Sequence, residues 1–64
     1  MGEYSGLIGR LESVAADLDE IAFDRLREAV AEGELTRPAG DKQLMQARRA
    51  IEKAAGVLRQ LDET

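Results

Sequence analysis

Apolar residues recur at intervals of three and four along most of the chain, and that spacing is its strongest constraint. Leu7, Leu11, Val14, Leu18 and Ile21 form one series; Leu44, Ala47, Ile51, Ala54, Leu58 and Leu61 form a second. Steps of three and four return a side chain to the same side of an α-helix, so each series reads as one helix face. No segment alternates with period two, and β-branched and aromatic residues are scarce, so strands are not expected. The single proline, Pro38, falls between the two series inside GELTRPAGD. The chain is therefore expected to be all-α, an antiparallel two-helix hairpin joined by a short hinge.

Capping signals set the expected boundaries. Ser5 is a candidate N-cap for the first helix, although Gly6 and Gly9 weaken its opening turns. Gly33 suits the left-handed position that ends a helix. Thr36 can cap the second helix with Pro38 in its first turn, where a missing N–H does no harm. Asp41 then lies near the positive end of that helix's dipole; the alternative start takes Asp41 itself as N-cap. The expected organisation is a single domain with helix 1 at about 5–32, a hinge at about 33–37 and helix 2 at about 38–62.

At 64 residues, such a fold hides only about 60% of the surface its unfolded chain exposes, so one hairpin core is marginal. Small proteins compensate with disulfides, a metal or association. The chain has no cysteine and no histidine, which removes disulfides, thiolate sites, the commonest metal ligand and the usual general base. Association is the remaining route.

The apolar surface is wider than one seam requires. On helix 1, Leu11, Ala15, Leu18, Ala22, Leu26 and Ala29 form a narrow strip, flanked by Ala16, Phe23 and Val30 on one side and by Val14 and Ile21 on the other. On helix 2, Leu44, Ile51 and Leu58 alternate with Ala47 and Ala54, and Ala50 and Val57 widen the strip. A single hairpin covers one strip, and an exposed apolar patch marks an interaction surface. A second copy of the chain would cover the flanks as a two-fold symmetric four-helix bundle. The expected dimer or partner interface comprises Leu11, Val14, Leu18, Ile21, Ala22, Phe23, Leu26, Val30, Leu44, Ala47, Ile51, Ala54, Val57, Leu58 and Leu61. On that reading Phe23→Asp dissociates the assembly.

Charge is divided between the two halves. Residues 1–34 carry nine acids and three bases, and residues 35–64 carry six bases and four acids. The halves are thus net −6 and +2, which favours laying the helices side by side. Matching Val30 with Leu44 across the hairpin sets Leu26 beside Arg48, Arg25 beside Arg49 and Ala22 beside Glu52. Arg48 then borders the apolar arc, its stem packed and its head compensated by Glu52, Asp24 and Glu28. The sharper alternative makes Arg25, Arg48 and Arg49, doubled by symmetry, an anion or nucleotide site. No glycine-rich phosphate loop or aromatic platform accompanies them.

Catalysis finds no support. Asp17, Asp19, Glu20 and Asp24 are spaced as a solvated helix face, and bundle di-iron sites require histidine. No catalytic residue, metal ligand or cofactor is expected, and the chain is read as a non-enzyme. A net charge of −4 argues against direct binding of nucleic acid. No apolar run is long enough to span a membrane, and the opening MGEYSGLIGRLES lacks the pattern of a signal peptide. A cytoplasmic location is expected. High alanine and an excess of arginine over lysine suit a high-GC bacterial genome.

The segment LREAVAEGEL, a helix end with its glycine stop and hinge, is similar to the small subunit of exodeoxyribonuclease VII. That family is a short acidic helical hairpin, and the resemblance implies association with a large catalytic partner; no functional residue carries over. The whole chain also resembles small helical-hairpin proteins of high-GC bacteria, which implies no activity. The expected role is protein–protein interaction: a self-associating scaffold or adaptor, or alternatively an accessory subunit of a larger, nucleic-acid-processing complex.

Overall fold

The computed structural model describes residues 2–33 and 40–64 and contains two helices, α1 (Ser5–Ala31) and α2 (Asp41–Glu63). No strand occurs among the described residues. Arg48, in the first half of α2, meets Asp19 just past the middle of α1, while Arg59 near the end of α2 meets Glu12 nearer the start of α1. The helices therefore run antiparallel, in a body about 50 Å long and 15 by 10 Å across.

The helix ends follow local chemistry, with two departures from the sequence reading. Ser5 is the first helical residue and not the N-cap: Tyr4 holds that position, and the Ser5 hydroxyl donates to the Gly2 carbonyl at 3.0 Å. Gly33 is at φ 82, and its N–H donates to the Val30 carbonyl at 3.0 Å. The chain thus leaves α1 through the left-handed glycine turn that a Cβ would penalise. Gly40, at φ 86, immediately precedes α2, whose first turn closes from the Leu44 N–H to the Gly40 carbonyl. A left-handed residue cannot lie inside a right-handed helix, so α2 opens at Asp41 with Gly40, and not Asp41 itself, as its N-cap. Asp41 keeps its place in the first turn. The expected Thr36 cap and Pro38 first turn lie outside the described residues.

The seam between the helices is lined by small residues. Ile8, Ala15, Ala29 and Ala55 are buried, with Leu11, Leu18, Ala22, Leu44, Arg48, Ile51 and Leu58 half-buried beside them. Ala47 and Ala54, expected in the seam of α2, are exposed; the seam runs instead through Ala55, one residue on and about 100° round the helix. Leu26 and Val30 are likewise exposed, while Ala29 packs inside. Alanines let the backbones approach closely, and this selection of small residues turns the larger neighbours outward. The expected register of Val30 against Leu44 fails for the same reason, and Arg48 lies level with Asp19, two turns of α1 from Leu26.

Candidate interaction surface

At about 100° per residue, the seam divides the hairpin into two long sides. One is crossed by interhelical ion pairs. Arg48 Nε lies 2.5 Å from Asp19 Oδ1, its Nη1 lies 2.8 Å from Glu52 Oε1, and Arg59 pairs with Glu12. The hydrogen bond from Arg48 to Asp19, with the charges of Asp19 and Glu52, raises the guanidinium pKa above its already high ordinary value. Beneath these pairs runs a groove of about 270 Å³ lined by Ala15, Ile51 and Ala55 as well as the paired charges. It is smaller than the usual ligand pocket, and the arginines already span it to carboxylates. Phe23 and Val30 lie on this side, 59% and 65% exposed. Arg27 stacks over the Phe23 ring at 5.0 Å and bonds Asp24, so the ring has a cationic cover.

The other side is formed mostly by exposed apolar side chains. Its α1 half is Leu7, Val14 and Ile21, spaced by seven and exposed by 45–49%. Its α2 half is Ala47, Ala54 and Leu61, also spaced by seven and exposed, with Ala50 and Val57 on the shoulder. Leu18, Ile51 and Leu58 form the half-buried floor between them. This apolar side ends at Glu3 near the open end and at Arg25 near the hinge, where the Arg25 guanidinium lies 3.4 Å from the place a Cβ on Gly40 would occupy.

No protein-family model, curated protein or solved structure matches this chain. The geometry therefore has to carry the functional reading. The fifteen interface residues expected from sequence divide over three places: the seam (Leu11, Leu18, Ala22, Leu44, Ile51, Leu58), the ion-paired side (Phe23, Val30, with Leu26 near the seam) and the apolar side (Val14, Ile21, Ala47, Ala54, Val57, Leu61). The candidate anion residues do not converge. Arg48 is at the seam, Arg25 on the apolar side by Gly40, and Arg49 on the outer surface of α2. Arg48 is compensated as expected by Glu52, but from α1 by Asp19 and not by Asp24 or Glu28. No group of acidic residues among those described could hold a metal ion. Of the acidic cluster, Asp19 and Asp24 are taken up by arginines. Neither described helix is long and apolar enough to cross a membrane.

Sequence reading missed the Glu12–Arg59 pair. Its signal, opposite charges 47 residues apart, becomes legible only once the register is known.

Proposed function

We propose that this chain is a non-catalytic interaction module, a helical hairpin that self-associates into a four-helix bundle and serves as a small scaffold or adaptor. The observation that carries this reading is the inversion of the core. Among the described residues no large side chain is fully buried, whereas nine large apolar ones are 40–65% exposed. Apolar surface held in water forfeits about 25 cal/mol per Å², and patches of this kind on small proteins mark association sites. The proposed dimer acts without cofactor, in the cytoplasm, through protein contacts and not nucleic acid.

Sedimentation equilibrium tests it. The expected result is a helical species of about twice the 7.0 kDa chain mass at micromolar concentration. A compact, cooperatively folded monomer at millimolar concentration would overturn the reading. The resemblance to a small accessory subunit supplies the second reading: a chain that aggregates alone and becomes helical only with a larger partner supports that one instead.

A further inference from the structure

We infer that the outer face of α2 is a docking surface for an acidic helix of another protein. The inference deepens the adaptor reading and rests on it: an adaptor needs a surface left over once it has self-associated, and this face points away from the seam. At about 100° per residue, Lys42, Gln46, Arg49, Lys53 and Gln60 fall within about 60° of one another. They lie about 120–180° round α2 from buried Ala55. All five are exposed. None of the three cations has an ion pair among the described residues.

The stripe also holds no carboxylate, in a chain whose thirteen acids outnumber its nine bases. The nearest acid to the side, Glu52, stands about 60° round the helix from Arg49 and is held by Arg48 at 2.8 Å. Glu63 lies past the end of the stripe, about 15 Å along the helix from Lys53. Local compensation, which quiets most charges on a helix surface, is therefore missing from this face. Three cations aligned without acids are complemented by carboxylates from elsewhere.

The spacing selects the kind of partner. At about 1.5 Å rise per residue, Lys42 and Arg49 are about 10 Å apart along α2, and Arg49 and Lys53 about 6 Å. Carboxylates on a second helix at intervals of seven and four residues have the same two separations, so each cation meets its own acid. Ala50 and Val57, spaced by seven, border the stripe, and Val57 is 48% exposed. A helix laid along the face thus covers apolar surface as well as meeting charge. Nucleic acid fits less well. Proteins that grip its backbone engage about 6–10 phosphates, whereas this face offers three cations on a chain of net charge −4. Anionic membranes recruit clusters of about 4–8 Lys and Arg, which the face does not supply. Exposed ion pairs are individually weak, so the expected affinity is modest and falls with salt.

The probe is an alanine-based helical peptide with glutamates at i, i+4, i+7 and i+11, which presents the matching intervals in either direction. Titrated with the full chain at about 50 mM salt, where the Debye length exceeds about 10 Å, binding is followed by fluorescence anisotropy. The peptide is expected to bind at least about five-fold more tightly than one of the same composition whose glutamates are scattered round the helix. K42Q/R49Q/K53Q is expected to abolish that preference while keeping the helicity and sedimentation of the wild type. Equal binding of the two peptides, or an unchanged preference in the triple variant, would overturn the inference. So would a triple variant that loses its self-association, because the face would then belong to the bundle. An oligonucleotide or phosphatidylserine vesicles bound as tightly as the matched peptide would overturn the choice of a polypeptide partner. A wild-type chain that sediments as a monomer yet keeps the peptide preference would refute the bundle alone and leave this surface standing.

Discussion

The position of the seam can be tested at Ala55, the least exposed of the described residues at 2%. Its counterpart on α1 is Ala15, also buried and lining the same groove. Close approach of the two backbones depends on both side chains ending at Cβ. Ala55→Leu adds three carbons at a residue only 2% exposed, so the helices must separate or the leucine must turn off its preferred rotamer into the groove beside it. Overpacking of this kind costs about 1–3 kcal/mol. Helix propensity barely distinguishes the two residues, so the penalty is one of packing. In a domain of this size each kcal/mol moves Tm by about 4–8 °C, and the expected loss is therefore at least about 4 °C.

Ala16→Leu is the control. Ala16 follows Ala15 in sequence, but it is exposed and lies at the rim of the ion-paired groove. The same three carbons there are expected to change Tm by less than about 2 °C, as surface substitutions do. Both variants are followed by circular dichroism at 222 nm, at one protein concentration, with urea titration as a second measure. An Ala55→Leu protein that melts at or above wild type would refute the seam, because a true helix–helix contact has no room for the extra volume. An equal loss in both variants would refute it as well, since burial would then not be what distinguishes them.

Two other predictions concern the helix interior and the ion pairs. A Cβ on Gly9 or Gly56 would meet nothing within 4 Å, so Gly9→Ala and Gly56→Ala should each stabilise by about 0.5–1 kcal/mol. Gly33→Ala, placed at φ 82, should destabilise, and urea midpoints separate the two signs. A double-mutant cycle between Asp19 and Arg48 should show a small coupling that fades in about 1 M salt, where the Debye length falls to about 3 Å. Coupling that persists at that salt would mean the pair is more shielded from water than its exposure indicates.

The helices, their antiparallel return and the glycine stop at Gly33 were legible because each rests on local chemistry: periodicity, capping and a left-handed turn. The face of α2 that packs inward was not. On α2 two strings with the right spacing compete, Leu44–Ala47–Ile51–Ala54–Leu58 and Leu44–Arg48–Ile51–Ala55–Leu58. Hydrophobicity favours the first, since it avoids an arginine. The structure takes the second, because the Arg48 stem can lie in the seam while its head reaches Asp19 and Glu52. On α1 the expected strip of Leu11, Ala15, Leu18, Ala22 and Ala29 does line the seam, with Leu26 alone of that strip exposed. The one-residue shift on α2 goes with a different register and, with it, a different α1 partner for Arg48.

On the proposed reading, this preference for alanine in the seam is what leaves the exposed apolar surface to an association partner. A hairpin whose buried residues are Ile8 and the alanines Ala15, Ala29 and Ala55, with its seam leucines and Ile51 only half-buried, removes limited apolar area from water by its own closure, while ordering each residue costs about 1.5 kcal/mol. Val14, Ile21, Leu61 and their neighbours hold the apolar area that could offset that cost, but they lie on the outer side of the pair. Hairpin closure positions those residues in two parallel rows; in the proposed assembly, association removes them from water. Folding and assembly would then be one thermodynamic event, with protein concentration entering the stability directly.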